Sequence, residues 1–149
     1  MWIVVGTDGS PSSLRATKVA YELARATGDR IRFVSAWREL RGDFGLPLHR
    51  LVPELLESQR EEADAILAEA KRFADLRGVE AETISRHGDA APVICAVARE
   101  CGARLIVVGA HGRGIASVLY GNVTRSVLRA APCPVLVVPR TQPAVTRAA

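Results

Sequence analysis

The residues best suited to chemistry in this chain lie between Leu105 and Thr124. The apolar run Leu105-Ile106-Val107-Val108 ends in Gly109, and Gly112, Gly114 and Gly121 follow before Asn122 opens an amphipathic segment. This pattern reads as a buried strand, a glycine-rich loop and a helix start. Glycines carry no Cβ, so their N–H groups can come close to an anion. The first turn of a helix adds unpaired donors and the positive end of its dipole. Such chemistry suits a phosphate. A glycine-rich loop can equally do no more than turn the chain, so the loop alone leaves phosphate binding open.

Covalent chemistry finds little support. The chain has no Ser-His-Asp or Cys-His arrangement, no paired carboxylates at a plausible site and no GxxxxGK[ST] loop, so the fixed lysine and base of phosphoryl transfer are missing. An enzyme is not expected, beyond a slow hydrolysis in which Asp8 positions a water. His49 and His87 have no partner spacing and read as surface histidines, whereas His111 lies in the glycine-rich loop. Cys95, Cys101 and Cys133 are odd in number and lack metal-ligand spacing. They read as reduced, mostly buried side chains, and no metal site is expected. The same reading points to the cytoplasm.

The elements that position these residues alternate along the chain. Trp2–Gly6 reads as a first strand, and Ser10-Pro11 supplies an N-cap with proline at the first helical position. Ala16, Val19, Ala20, Leu23 and Ala24 recur at helical spacing until Gly28. A second strand is expected over Arg30–Trp37 and a second helix from Pro53 to Arg77, ended by Gly78. A third strand over Val79–Arg86 has the alternation of a sheet edge. Asp89 is expected to cap a third helix that closes at Gly102. Leu105–Val108 and Val135–Val138 are the fourth and fifth strands, and Asn122–Ala131 is the last helix. The 149 residues, 48% hydrophobic and 24% charged, suit one domain over residues 1–140, followed by a disordered tail over 141–149. The loop from Arg38 to Pro53 is long for so small a domain. Its Leu40, Phe44, Leu46 and Leu48 either tuck against the second helix or form a partner surface or flap.

Strands alternating with helices predict an α/β single domain, a flavodoxin/Rossmann-like three-layer sandwich on a five-stranded parallel sheet. The order 3-2-1-4-5 puts the short apolar strands one and four at the centre. Ligands of such sheets sit beyond the carboxyl ends of the strands, where the winding direction reverses. That crevice would bring Gly6, Thr7 and Asp8 opposite the loop from Gly109 to Gly114, a hundred residues away in sequence. The net charge of +4 comes from arginines scattered among acidic neighbours, which reads as a solvated surface rather than a nucleic-acid site. No stretch approaches membrane-spanning length. The last strand, Val135-Leu136-Val137-Val138, would form an apolar sheet edge, which calls for a cover or a partner.

Taken together, Val4-Val5-Gly6-Thr7-Asp8-Gly9-Ser10, Gly88-Asp89, Val107-Val108-Gly109-Ala110-His111-Gly112-Arg113-Gly114 and Cys133-Pro134-Val135-Leu136-Val137-Val138 resemble a universal stress protein domain over residues 2–139. The resemblance implies ATP, with or without Mg2+, in the crevice between strands one and four, and a homodimer joined through Val135–Val138. By that similarity Asp8 lies near the adenosine or its metal-bridged phosphates, although an Asp-Gly turn explains the same residue. Thr7 and Ala36 line the adenosine slot or are simply packed, with Gly6 and Val108 beside them at the strand ends. Gly109, Gly112, Gly114 and Gly121 let the backbone near ribose and phosphates, and His111 matches the family within this loop. Arg113 pairs with a phosphate or faces water. Asn122, Val123 and Thr124 supply helix-end N–H groups, with Asn122 also able to serve as an N-cap. The family signature places nine residues between its second and third glycines and then Ser or Thr. Here eight separate Gly112 from Gly121, and Asn122 follows. Two functions stand: a stress-response regulatory module that binds ATP, or a nucleotide-free dimeric interaction domain of the same fold.

Overall fold

Three short apolar runs rich in Val and Ile, and two segments that mix apolar with polar residues, become the strands of one sheet. The computed structural model describes residues 1–38, 54–111 and 121–140. In chain order these form β1 (Trp2–Gly6), α1 (Pro11–Thr27), β2 (Arg30–Trp37), α2 (Glu54–Asp75), β3 (Ala81–His87), α3 (Ala90–Glu100), β4 (Leu105–Gly109), α4 (Asn122–Ala130) and β5 (Val135–Val138). The sheet order is β3-β2-β1-β4-β5 and every pairing is parallel, as expected. The flap or partner surface considered for residues 39–53, the glycines and arginine of 112–114 and the tail over 141–149 all lie outside the described residues.

Alternation along the strands divides the core into two layers. Ile3, Val5, Ile31, Phe33 and Val107 face α1 and α2. Val4, Val34, Ile106 and Val108 face α3 and α4. Helix α1 turns Ala16, Ala20 and Ala24 onto the sheet, small residues one turn apart that let the helix lie close. Its ends follow the sequence reading. The Ser13 N–H donates to the Ser10 hydroxyl at 3.3 Å, and Gly28, at φ 71°, donates its N–H to the Ala24 carbonyl.

Two boundaries shift by two residues, and one expected side-chain cap does not form. Helix α2 stops at Asp75, and β3 starts at Ala81 rather than Val79. Val79 still enters the core, because its N–H bonds the Ala74 carbonyl and folds it beneath the helix end. Asp89 occupies the N-cap position of α3 but makes no side-chain cap, since its carboxylate lies 2.7 Å from the Arg38 guanidinium. A charged partner outcompeted the backbone amides.

The two sheet edges differ in chemistry. On β3, Glu82 pairs with Arg32 of β2, and Arg86 pairs with Glu100 at 2.8 Å. On β5, Val135, Leu136 and Val137 are each only half-buried.

Close approach of α1 to β4 depends on Gly109. A Cβ there would lie 2.6 Å from the Ser12 hydroxyl oxygen, 2.7 Å from the Ser12 carbonyl carbon and 2.8 Å from the Ser13 nitrogen. Backbone cannot yield as a flexible side chain can. Gly109→Ala is therefore expected to cost about 1–3 kcal/mol of stability, read as a lowered urea midpoint. An unchanged midpoint would contradict this packing.

At the opposite end of the sheet, Asp29 is buried to 4% side-chain exposure and joins three elements. The N-terminal ammonium of Met1 lies 2.8 Å away, the Thr27 hydroxyl donates at 2.6 Å, and Arg104 stands at 3.1 Å. The ammonium hydrogen bond, followed by that of Thr27, holds the Asp29 carboxyl below the usual carboxylate range. A depressed folded-state value means that the stabilisation is present above the unfolded value and is lost as the pH falls through the folded one. Asp29→Asn should lower the urea midpoint at neutral pH, and the gap from the parent should close in strong acid. A gap independent of pH would show that the charge is not the cause.

Candidate functional site

Strands β1 and β4 are neighbours at the centre of the sheet, and the chain leaves them toward opposite faces. Their carboxyl ends therefore diverge and open a crevice. Gly6, Thr7 and Asp8 border it from β1, Val108, Gly109 and His111 from β4, and Val123 and Thr124 from the start of α4. Val34 and Ala36 of β2 and Ala90 and Ile94 of α3 form an apolar wall. The enclosed part is about 90 Å³, enough for a few waters or one end of a larger ligand that continues across the open mouth.

The glycine at position 6 has a packing reason. A Cβ there would lie 2.6 Å from the Ile94 side chain, so the absence of one lets α3 close the floor of the crevice. Beyond it the chain turns through Asp8, whose carboxylate accepts the Ser10 N–H at 2.9 Å, and Gly9, at φ 74°. The Asp-Gly turn is thus present, and Asp8 lines the crevice as well.

A row of hydroxyls ties the rim together. The Ser13 hydroxyl donates to the Ser10 carbonyl at 3.0 Å and accepts the Asp8 N–H at 3.4 Å. The Ser12 hydroxyl donates to the Val138 carbonyl at 3.2 Å and accepts the His111 N–H at 3.4 Å, which joins α1, the exit of β4 and the end of β5. The Thr124 hydroxyl, buried at 3% exposure, donates to the Gly109 carbonyl at 2.8 Å and approaches that of Ala110 at 3.3 Å. It fastens α4 to the end of β4, so its proton points inward.

Helix α4 begins at Asn122, as the sequence reading has it, but with a different cap. Gly121, not Asn122, is the N-cap residue, in extended conformation and without a side-chain cap. Its N–H donates to the Ala110 carbonyl at 2.9 Å, while the exposed Asn122 side chain accepts from Arg125. Neither Gly121 nor Asn122 is among the residues bordering the crevice. By helix geometry the N–H groups of Asn122, Val123 and Thr124 have no intrahelical acceptor, and they lie at the positive end of the α4 dipole.

Among the described residues lining the crevice, Asp8 is the one carboxylate and there is no lysine or arginine. No group of three or more His, Cys, Asp or Glu side chains among the described residues could hold a metal ion. His87 lies outside the crevice, exposed and edge-on to Trp37 with ring centroids 4.9 Å apart. Among the described residues no helix is long and apolar enough to cross a membrane.

Four lining residues were not marked in the sequence as part of a site. Val34 and Ile94 carry core-type periodicity, and Ala90 and Ser13 look like ordinary first-turn residues. Only the crossing of α3 and α1 over the strand ends gives them a face on the crevice.

The sequence model described as the universal stress protein family matches residues 1–139. Universal stress protein YxiE of Bacillus subtilis is 34% identical over 144 residues, covering 91% of this chain and 97% of its own. A universal stress protein solved in complex with cAMP is 29% identical with a TM-score of 0.68, over 95% of this chain and 98% of its own. The Archaeoglobus fulgidus universal stress protein solved in complex with dAMP is 26% identical with a TM-score of 0.66, over 93% and 97%. With the strand order, the two-sided helical layers and the match over residues 1–139 in agreement, the chain belongs to the universal stress protein family.

Proposed function

We propose that the protein is a regulatory adenine-nucleotide-binding module and that ATP is its ligand. The observation that carries this reading is the crevice itself, which sets an apolar wall opposite the amide-rich start of α4. A purine can lie against Val34, Ala36 and Ile94, while the phosphates extend toward the N–H groups of Asn122, Val123 and Thr124. Related chains were solved with cAMP and dAMP, which supports an adenine nucleotide as the class of ligand. Gly112, Arg113 and Gly114, outside the described residues, are candidates for the phosphate side by the family resemblance alone. If Mg2+ accompanies the nucleotide, Asp8 is the carboxylate suited to it, in the usual manner of one carboxylate plus phosphate oxygens. The ion would screen the phosphate charge. We read the module as non-catalytic, because the described lining has neither a lysine nor a second carboxylate to drive phosphoryl transfer, and as cytoplasmic, in keeping with cysteines read as reduced.

A nucleotide-free interaction domain is the second reading. It is favoured by the one-residue-shorter loop and by the inward commitment of the Thr124 hydroxyl.

Mass spectrometry of protein denatured directly after purification should release an adenine nucleotide, and calorimetry with Mg-ATP should give saturable binding. Ala36→Leu, which adds bulk to the half-buried apolar wall, should weaken binding at least about tenfold, roughly 1.4 kcal/mol, with unchanged circular dichroism. No released nucleotide and no heat with ATP or AMP would favour the second reading. Both readings include a homodimer paired through the half-buried β5 edge, so light scattering at micromolar concentration should report twice the chain mass. A monomer would remove the edge pairing from both.

A further inference from the structure

Cys101 and Cys133 lie at the end of the sheet opposite the crevice, and Cys95 lies midway along α3. Cys101 is the C-cap residue of α3 and begins the turn into β4, and Cys133 lies in the turn from α4 into β5. These turns feed adjacent parallel strands, with Ile106 paired to Val135 and the Ile106 N–H donating to the Pro134 carbonyl at 3.0 Å. The ends of the two helices are also joined, since the Arg99 guanidinium donates to the Ala130 carbonyl at 2.8 Å. Cys101 and Cys133, both half-buried, pack against the same apolar cluster that contains the buried Cys95. Burial first, and then the nearby thiols of Cys101 and Cys95, push the Cys133 thiol up. Burial likewise pushes Cys95 up, and its 1% exposure closes it to solutes. None of the three belongs to the crevice, and they do not form a metal site.

We propose that Cys101 and Cys133 are a peroxide-oxidisable pair that closes to an intramolecular disulfide, with Cys95 left as a bystander thiol. The Cys101 thiolate attacks one oxygen of hydrogen peroxide, the O–O bond breaks, and after protonation one water leaves, giving a sulfenic acid. The Cys133 thiol then attacks that sulfur, the S–O bond breaks, and the hydroxyl leaves as a second water with the thiol proton. Two thiols and one peroxide thus give one disulfide and two waters. The bond would close a ring from residue 101 to 133, which contains β4, the loop after it and α4, hence one whole side of the crevice.

The test treats the full chain with hydrogen peroxide, blocks remaining thiols with an alkylating agent under denaturing conditions and digests with trypsin. The expected result is a fall from three alkylated cysteines to one and a reducible species joining peptide 100–104 to peptide 130–140. Cys95→Ala should leave that species in place, whereas Cys101→Ser and Cys133→Ser should each abolish it. Three alkylated cysteines after treatment, a link through Cys95, a link only between two chains, or sulfinic and sulfonic acids without the linked peptide would each overturn the assignment.

Discussion

The crevice exists because two central strands end in residues that cannot be enlarged. Gly6 lets the Ile94 side chain come within 2.6 Å of where its Cβ would stand, and Gly109 does the same for the backbone of Ser12 and Ser13. One glycine admits α3 from one face, the other admits α1 from the opposite face, and the first turn of each helix is drawn to the strand exits. Helix α1 brings its hydroxyl row and α3 the apolar wall. In the sequence Gly109 reads as a place where the backbone nears a ligand, and Gly6 as a strand-end neighbour of the adenosine slot. Their measurable neighbours belong to the protein itself, so each has a structural duty before any binding duty.

Much of the fold was readable because local and global preferences agree. Val-rich runs, helical periodicity between them, Ser10-Pro11 at one helix start and Gly28 at its end all specify the same element boundaries. The sheet order followed from crossover handedness and the apolarity of strands one and four. Harder to read were outcomes in which one local interaction defeats another. Asp89 has the type and position of a cap and gives its carboxylate to Arg38. Val79 has the character of a strand residue and is claimed by the end of α2.

The crevice was partly readable for a different reason. Gly6, Thr7, Asp8, Ala36, Val108, Gly109, His111, Val123 and Thr124 lie around one opening because topology alone brings these strand ends together. Ile94 and Ser13 were hidden, since a residue at core spacing or in a helix's first turn carries no mark of also facing a cleft. The inward use of the Thr124 hydroxyl was hidden as well, because a helix-start threonine looks the same whether it serves a ligand or a neighbouring carbonyl.

The contrast between the sheet's two borders limits how copies can accumulate. Along β3, Glu82 and Arg86 are already engaged with Arg32 and Glu100, and a docking strand would have to displace these charges. Along β5 the half-buried valines and leucine set no such barrier. Open-ended stacking needs two receptive borders per molecule, and this one has a single receptive border. Were a second copy to pair along β5, strand-to-strand growth would terminate after that one addition, which would keep this edge from seeding fibrils.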